Sequence, residues 1–413
     1  MNELIGRVFT GNKKDTSQSS KVNLQPLSKK NEPVSSVSVG RDKNPLTILQ
    51  LISSNGYFGG ENVLVQLASE IKKRNGCRSM VGVFHNFRNP HLEVAEVCQK
   101  NNIETHILPC KGRFDAKAVM RLRRFIRENK IDILHSHGYK ADLYAFLANF
   151  GLSVSQVSTC HNWLGDEARM KCYAVLDRLF LRKFNKIIAV SENIKEKVIE
   201  SGVSPKKVTI IQNGISMGPF DARPSGKDIR KELGITDGAP VIGTVGRLSS
   251  EKGHRMLLLA AKAVFEQIPG AVLIIVGDGP LKIPLQREFN SSPIIFTGIR
   301  NDVPDVYRGM DLFVLPSFTE GFPMVILEAM ASKLPIVATR VGEVPTLVNG
   351  ENGILVEPGD VEGLKQALLY MLKNQLTARE MGQKGYQRVR EHFSSERMAG
   401  DYMGVYRSIA SGG

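Results

Sequence analysis

Residues 241–253 read VIGTVGRLSSEKG, an apolar run followed at once by a loop that holds two glycines and two cations. The β-branched run Val241–Val245 predicts a short buried strand. The apolar spacing of Arg255–Glu266 then predicts a helix. A strand, a glycine-containing loop and a helix in this order are typical of parallel α/β sheets, which bind ligands at the carboxyl ends of their strands.

Similar units extend from this stretch in both directions and form two series. The first series has predicted strands at Leu46–Ile52, Met80–Phe84, Ile131–His135, Gln156–Thr159, Lys186–Val190 and Val208–Ile211, and helices at Asn62–Arg74, Ala116–Glu128 and Glu192–Glu200. The second has predicted strands at Val241–Val245, Val272–Val276, Ile294–Phe296, Leu312–Leu315 and Ile336–Ala338, and helices at Arg255–Glu266, Pro323–Ala331 and Val361–Leu372. The sequence therefore predicts an α/β protein with two doubly wound domains facing each other across a cleft.

The 413 residues are enough for two hydrophobic cores. Residues 1–44 lack helical or strand periodicity and are predicted to be a disordered tail. A first domain is predicted at 45–220 and a second at 221–395, joined through the Gly, Pro and Ser-containing stretch Asn213–Gly238. Residues 396–413 are predicted to form a C-terminal helix that packs back on the first domain.

Apolar runs, the N-terminal stretch and the cysteines predict the cellular compartment of the protein. The longest apolar runs, such as Ala271–Val276, are far shorter than the roughly 20 residues that cross a bilayer. Met1–Lys14 lacks the apolar core of a signal peptide. The five cysteines are odd in number and show no CxxC spacing, so we expect reduced thiols in a cytoplasmic protein.

The positive charge of the chain is unevenly distributed. Residues 47–223 hold 26 basic and 16 acidic side chains, whereas residues 224–413 hold 21 of each. Such a basic half attracts nucleic acid, anionic lipid or phosphorylated ligands. No zinc finger, helix-turn-helix or aromatic-interleaved RNA motif accompanies the charge, so no nucleic-acid partner is predicted.

Arg247 and Lys252 carry the first candidate site. Two cations in a glycine-bearing loop at a strand end can converge on one anion, of which a diphosphate is the natural example. A solvated loop with charges flanking a helix is an equally good interpretation of these two residues alone. The spacing is not that of a Walker motif, so ATP hydrolysis is not implied.

A second candidate site follows the strand Leu312–Leu315. Pro323 is predicted at the first helical position, where Gly321 and Phe322 would expose backbone N–H groups to an anion. Glu320 would lie in the loop and Glu328 on the helix, within reach of different parts of one extended ligand. The alternative gives Glu328 a salt bridge and leaves Glu320 facing solvent.

Three histidines are predicted near strand ends of the first domain. His135 and His137 alternate along one strand, and His161 follows the next. No further Cys or carboxylate stands at metal-ligand spacing beside them, so the sequence predicts packing or ligand contact and no metal site.

The motifs, taken in order, resemble a known family. They are Gly59-Gly60-Glu61, His161, Asn213-Gly214, Gly246-Arg247 with Glu251-Lys252-Gly253, Val276-Gly277-Asp278-Gly279-Pro280, and the pair Glu320 and Glu328. Together they resemble the retaining nucleotide-sugar glycosyltransferases of GT-B fold, glycosyltransferase family 4 (glycosyl transferases group 1), over about residues 45–390. After Asn213-Gly214-Ile215 the family often has Asp where this chain has Ser216.

The resemblance implies a role for each residue. Arg247 and Lys252 would neutralise the donor diphosphate, and the N–H groups around Gly321, Phe322 and Pro323 would support the phosphates or the sugar. Glu320 would hold sugar hydroxyls, and Glu328 the ribose. Gly59 and Gly60 would allow the first domain to approach the diphosphate, and His161 would lie beside the sugar. The segment with Gly298 and Arg300 would recognise the base.

The implied enzyme is a hexosyltransferase-type glycosyltransferase that needs neither metal nor cofactor, because protein cations and a helix N-terminus stabilise the leaving diphosphate. Its acceptor would be a lipid-linked or saccharide molecule in polysaccharide biosynthesis. Acceptor contacts would come from first-domain loops, for which Phe87–Pro90, Lys111–Phe114 and Asn162–Ala168 are candidates. The basic first half favours peripheral contact with an anionic membrane at its inner face.

Two other functions remain open at this point. One is a nucleotide-sugar epimerase of the same fold, which would release free sugar. The other is a binding protein that keeps the cleft without turnover. The combination of Arg247, Lys252, Glu320 and Glu328 favours the glycosyltransferase over both.

Overall fold

The predicted strand Leu46–Ile52 (β1) lies in the middle of a seven-stranded parallel sheet in the computed structural model. The model describes residues 45–54, 56–86, 91–112, 114–161, 180–222 and 228–410. The other strands of this sheet are β2 (Cys77–Asn86), β3 (Glu104–Cys110), β4 (Ile133–His137), β5 (Ser155–Cys160), β6 (Lys186–Ala189) and β7 (Val208–Ile210). Their order is β3-β2-β1-β4-β5-β6-β7. The reversal between β1 and β4 is the point at which doubly wound sheets bind ligands.

The second series forms a six-stranded parallel sheet. Its strands are β8 (Val241–Val245), β9 (Val272–Val276), β10 (Ile294–Gly298), β11 (Leu312–Leu315), β12 (Ile336–Thr339) and β13 (Gly353–Val356), in the order β10-β9-β8-β11-β12-β13. Here the order reverses between β8 and β11. The two candidate sites of the second half therefore follow the two strands at its switch point.

The main helices cover both sheets. They are α1 (Gly59–Lys72), α2 (Glu93–Lys100), α3 (Ala116–Glu128), α4 (Tyr139–Asn149), α5 (Glu192–Glu200), α6 (Gly218–Asp221), α7 (Ile229–Glu232), α8 (His254–Gln267), α9 (Lys282–Glu288), α10 (Val303–Arg308), α11 (Met324–Ala331), α12 (Val344–Leu347), α13 (Val361–Lys373), α14 (Gln375–His392) and α15 (Ser395–Ala410). The predicted α/β class with two doubly wound sheets is confirmed.

The last helix belongs to the packing of the first sheet. Tyr402 and Tyr406 on α15 are fully buried, and their hydroxyls lie 2.9 Å from Thr159 Oγ1 and 2.7 Å from His135 Nδ1. The chain reaches this position through Ser394, whose backbone pairs with Ile215. The C-terminal helix therefore packs against the first sheet. Both belong to one compact unit, residues 44–413.

The fourth strand is shifted from its prediction. It was expected at Ile131–His135 and instead spans Ile133–His137, because the N–H of Ile131 still donates to Ile126 O at the end of α3. Lys130 takes a positive φ of 49° to close that helix. As a result His137 is part of the strand, with His135 beside it on the same face.

Several predicted features fall partly or wholly outside the described residues. These are the tail 1–44, the loops Phe87–Pro90, Lys111–Phe114 and Asn162–Ala168, the joining stretch Asn213–Gly238, the end of the predicted helix 396–413, and Cys172. The other four cysteines form no disulfide among the described residues. Within the described part of the chain, none of the helices has the length and apolar character needed to cross a membrane.

Candidate active site

The loop before α1 is held by a single carboxylate. Glu61 accepts hydrogen bonds from the Ser54 hydroxyl, at 2.9 Å, and from the Phe58 backbone N–H, at 3.1 Å. Phe58 is extended and precedes the first helical residue, Gly59. The first turn of α1 therefore stands at the end of β1 with a fixed direction, and its first N–H groups have no partner within the helix.

Gly59 faces the second sheet. A Cβ atom built on Gly59 would lie 3.3 Å from Cγ of Met324, the first residue of α11. The N-terminal turns of α1 and α11 thus approach each other from the two halves of the chain. Each turn carries unpaired N–H groups and the positive end of a helix dipole, so together they favour an anion.

The start of α11 differs by one residue from the prediction. Pro323 was expected at the first helical position, but it caps the helix with extended backbone (φ −76°, ψ 105°), and Met324 is the first helical residue. The carbonyl of Pro323 already accepts from Ile326 N–H at 3.1 Å. The unpaired amides of the first turn are therefore those of Met324 and Val325. Phe322 is buried beside Phe393.

Lys252 and Glu320 meet at the switch point of the second sheet. Lys252 Nζ lies 2.7 Å from Glu320 Oε1, and the same oxygen accepts from the Ser317 hydroxyl at 2.6 Å. The Glu320 side chain is only 6% exposed. The loops after β8 and β11 are thereby joined, and the alternative in which Glu320 faces solvent is wrong.

Arg247 lies in the same loop as Lys252 and is exposed. A hydrogen bond from Ser249 and the charges of Lys252 and Arg247 lower the pKa of Glu251. The two cations therefore act on one small region. The loop owes its shape to the turn after β9, where a side chain on Gly277 (φ 132°) would collide with the carbonyl of Gly246.

Glu328 lies on α11 and is partly buried. The Tyr307 hydroxyl donates to Glu328 Oε2 at 3.0 Å, and burial raises the pKa of the Glu328 carboxyl. Burial also raises the pKa of Tyr57, with a smaller contribution from nearby acidic groups that include Glu328. Tyr57 belongs to the loop before α1, so Glu328 is within electrostatic range of the first domain.

His161 follows β5 and lies beside α1. A Cβ on Gly60 would be 3.7 Å from Cγ of the His161 ring. Nε2 of His161 lies 3.0 Å from Nδ1 of His137, and burial lowers the pKa of His161 to about 4. The imidazole is therefore neutral near pH 7 and can form hydrogen bonds without carrying charge.

The segment after β10 holds the remaining two predicted residues. Gly298 has a φ of 73°, and its carbonyl accepts from Gly277 N–H at 2.9 Å. Arg300 forms ion pairs of 2.6 Å with both Asp302 and Glu232. Its guanidinium therefore fixes the segment to α7 and takes no free position toward a ligand.

The structure brings several of the predicted residues into contact. Gly59 meets the start of α11 from the other half of the chain, Gly60 meets His161, and Lys252 meets Glu320. Arg300 is instead paired with Asp302 in its own loop and with Glu232 on α7. Sequence reasoning missed Ser317, Tyr307 and Met324. Ser317 and Met324 stand next to a strand end and a helix start, and that placement was the available signal. Among the described residues no group of three or more His, Cys, Asp or Glu is arranged to hold a metal ion.

Comparisons with known proteins place the chain in a family. Residues 58–218 match the model described as Glycosyltransferase Family 4, and residues 239–374 match that of Glycosyl transferases group 1. The chain is 30% identical over 270 residues to UDP-Gal:alpha-D-GlcNAc-diphosphoundecaprenol alpha-1,3-galactosyltransferase of Escherichia coli, covering 62% of this chain and 70% of that protein. It is 26% identical over 327 residues to the capsular polysaccharide biosynthesis glycosyltransferase CapM of Staphylococcus aureus, covering 73% of this chain and 84% of that protein.

A solved structure has the same fold. The crystal structure of Anabaena Alr3699/HepE in complex with UDP superposes with a TM-score of 0.75 at 22% identity, covering 88% of this chain and all of that one. The fold, the two family matches and the arrangement of the cleft agree with one another. The chain belongs to the family 4, group 1 glycosyltransferases of GT-B fold and is a nucleotide-sugar-dependent glycosyltransferase.

Proposed function

We propose that the protein transfers a hexose from a nucleoside diphosphate sugar to a lipid-linked or polysaccharide-precursor acceptor, with retention of the anomeric configuration. The observation that carries this proposal is the approach of Gly59 to Met324, with the Lys252–Glu320 pair at the switch point of the second sheet. Helix N-termini from both halves and two cations supply what a diphosphate needs.

In this proposal the second half binds the donor. Arg247 and Lys252 hold the diphosphate, and the amides of Met324 and Val325 support its oxygens. Glu320, held in place by Lys252 and Ser317, accepts hydrogen bonds from sugar hydroxyls. Glu328 accepts one from the ribose, and the backbone around Gly298 contacts the base.

The chemistry follows from charge. As the bond between the anomeric carbon and the diphosphate oxygen breaks, negative charge grows on the leaving group, and positioned cations and N–H dipoles stabilise it more than they stabilise the bound donor. The acceptor hydroxyl attacks from the face that the diphosphate leaves, and its proton goes to a diphosphate oxygen. Neutral His161 lies beside this centre as a hydrogen-bonding group. No protein nucleophile is required.

Two relatives support the choice of acceptor. The E. coli relative is named for a GlcNAc-diphosphoundecaprenol acceptor, and the S. aureus relative for capsular polysaccharide biosynthesis. The first name describes a saccharide on a diphosphate-linked lipid carrier, and the second describes a capsular polysaccharide. A GlcNAc-diphospholipid is therefore the first acceptor to test, and UDP-galactose the first donor.

The outer face of α3 supports membrane contact. Lys117, Met120 and Arg127 are exposed on it, Met120 to 64%, and within the described chain neither Lys117 nor Arg127 has an ion-pair partner. A methionine among cations suits the headgroup region of an anionic bilayer. This face would bring the first domain to a lipid-linked acceptor.

The deciding experiment is an assay of the purified full chain. UDP-galactose, UDP-glucose, UDP-GlcNAc and GDP-mannose are each supplied with and without a GlcNAc-diphospholipid analogue, and nucleoside diphosphate release is followed beside product NMR. Acceptor-dependent release with an α-linked product from an α-linked donor supports the proposal. Release of free sugar as an epimer would favour an epimerase, and donor binding without turnover a binding protein. An inverted product would overturn retention.

A further inference from the structure

The contact between His137 and His161 is the clearest buried polar contact that the proposed mechanism does not use. His137 Nδ1 and His161 Nε2 are 3.0 Å apart, and the two rings are nearly parallel, with 5.3 Å between centroids and 20° between planes. His137 is 4% exposed. One of the two nitrogens must carry the proton that this hydrogen bond needs.

Each ring has a second nitrogen without a partner. Within the described residues, His161 Nδ1 and His137 Nε2 are buried and make no hydrogen bond. Burial lowers the pKa of both rings below the usual value, so both are neutral and each carries one N–H. Two arrangements remain, which differ in the ring that donates.

Each arrangement leaves one buried N–H without a partner among the described residues, and the two differ in the ring that carries it. If His161 donated, the N–H of His137 would be on Nε2, buried without an acceptor. If His137 donates, its Nε2 is an unpaired acceptor, and the N–H of His161 is on Nδ1. Because a buried N–H without a partner is rare, we favour the second arrangement, in which this N–H belongs to His161, the ring that lies beside the start of α1 and can meet a ligand oxygen.

His135 fixes His137 from the other side. The two rings are 4.2 Å apart between centroids. Both nitrogens of His135 are already engaged, Nδ1 with Tyr406 Oη at 2.7 Å and Nε2 with Thr159 Oγ1 at 2.8 Å. His135 therefore offers His137 a packing surface and no competing hydrogen bond, which leaves His161 as the partner of Nδ1.

We propose that His137 is a positioning residue, which donates from Nδ1–H to Nε2 of His161 and so holds His161 in the tautomer that offers Nδ1–H to an oxygen of the bound sugar or acceptor. This inference rests on the proposed function, because it assumes that the ligand reaches the His161 ring. The ring is next to Gly60 at the start of α1, where the two halves of the chain approach.

The test begins with ¹⁵N-histidine NMR of the full chain, with His161 assigned by its absence in His161→Ala. The expected wild-type spectrum shows His161 as the Nδ1–H tautomer, and an Nε2–H tautomer would overturn the proposal. This measurement needs no substrate. If wild type turned over no nucleotide sugar, the proposed function would fail while the spectrum still decided the pairing.

Two substitutions then separate hydrogen bonding from packing. His137→Asn keeps an N–H donor near the position of Nδ1, whereas His137→Leu removes it. We expect His137→Leu to lose the single tautomer and to lower kcat about 10- to 100-fold with donor KM within about threefold, less than the loss of a direct transition-state donor. His137→Asn should keep the tautomer and most of kcat.

His106 provides the matched control, because it is stacked on Phe125 in the same domain at 4.1 Å and makes no contact with His161 among the described residues. His106→Leu should leave the His161 tautomer and kcat unchanged. If His137→Leu melts cooperatively and retains both wild-type values, or if His137→Asn falls as low as His137→Leu, His137 is not a positioning residue. A His137→Leu variant that does not fold leaves the wild-type spectrum and His137→Asn to decide.

Discussion

The Nζ atom of Lys252 lies 2.7 Å from Oε1 of Glu320, so a cation and a carboxylate 68 residues apart in sequence form one ion pair. The family resemblance gives them different tasks, the diphosphate and the sugar. Their pairing makes these tasks dependent, because each side chain fixes the position of the other. A donor that brings its own negative charge must share Lys252 with Glu320.

Lys252→Ala should therefore reduce both activity and stability. The buried Glu320 would lose its cation and keep only the Ser317 hydroxyl, which should cost about 1–3 kcal/mol in the free energy of unfolding. The transition state would lose a cation on the leaving group, so kcat should fall about 100-fold or more. Urea titration and steady-state kinetics measure the two effects.

A double substitution separates the loss of stability from the loss of activity. Lys252→Ala with Glu320→Gln removes the unpaired charge, so most of the stability should return while activity stays low. Lys365→Ala is a matched control, since Lys365 is also a partly buried lysine that is paired with a glutamate, Glu362, on α13. Transfer at the wild-type rate by Lys252→Ala would rule out its role at the diphosphate.

Gly59 should tolerate no side chain if the two helix N-termini close on a donor. A Cβ there would already lie 3.3 Å from Met324 Cγ, and the branches of valine would push the turns apart. We expect Gly59→Val to lower kcat/KM about tenfold or more with a smaller effect on stability. Gly404→Ala on α15 has open space around it and should instead stabilise the chain by about 0.5–1 kcal/mol without a kinetic effect. Equal kinetics for the two variants would show that the Gly59 contact is incidental.

Glu328→Gln should raise the stability of the protein and weaken its binding of the donor. Burial raises the pKa of Glu328, so the folded chain holds this proton more tightly than the unfolded chain does, and stability declines as pH rises through the range between the two pKa values. The neutral amide removes that loss and can still accept from Tyr307. At pH 7 the variant should be more stable than wild type by about 0.5–2 kcal/mol.

The same variant should mainly raise the donor KM, because a ribose contact is similar in the ground and transition states. Denaturant titrations at pH 5 and 7 should show a larger stability difference at the higher pH. A fall in kcat with unchanged KM would contradict the ribose assignment.

The fold could be read from the sequence wherever strands are fully buried. Val241–Val245 and Leu312–Leu315 were predicted with the bounds that the structure shows, because a buried parallel strand is a continuous apolar run. β3 (Glu104–Cys110) was missed. It is an edge strand, and its exposed Glu104, half-exposed Thr105 and Pro109 hide the pattern.

The sequence predicted which loops form the site, but it did not predict which side chains contact each other there. The motif positions predicted that Arg247, Lys252 and Glu320 follow strand ends. The structure shows that the two strands, β8 and β11, are neighbours. The Lys252–Glu320 pair depends on side-chain rotamers, and the bond between His137 and His161 depends on the register of β4 with β5, which pairs His137 with Thr159. Neither follows from a linear pattern.

The buried histidines should make the protein sensitive to acid. Burial lowers the pKa of His135 to about 3 and those of His161 and His254 to about 4, below the value of 6.5 for an exposed ring. As the pH falls through 6.5, the histidines of the unfolded chain bind protons that the buried rings of the folded chain do not. The free energy of unfolding should then fall by about 1.4 kcal/mol per pH unit for each such proton, until the folded rings also titrate.

Urea titrations between pH 7 and pH 4 measure this slope. His135→Gln should reduce this slope by about one proton, even if it changes the stability at pH 7. A slope that His135→Gln leaves unchanged would show that His135 is already protonated in the folded protein.

Membrane contact through α3 should depend on charge and on one apolar side chain. Arg121 and Arg124 on this helix are already bonded, to Pro109 O and Asp115 and to Glu128, so the cations most available to lipid are Lys117 and Arg127. Each contributes about 1 kcal/mol near an anionic surface.

Wild type should co-sediment with vesicles that contain anionic lipid, and binding should weaken as salt rises. Lys117→Glu with Arg127→Glu should weaken it more than tenfold. The same charge change on the second half, Lys231→Glu with Lys262→Glu, should have little effect, because those exposed lysines lie outside α3. Equal losses for the two pairs would mean that only net charge matters, and no binding to anionic vesicles at low salt would remove membrane contact from the proposed function.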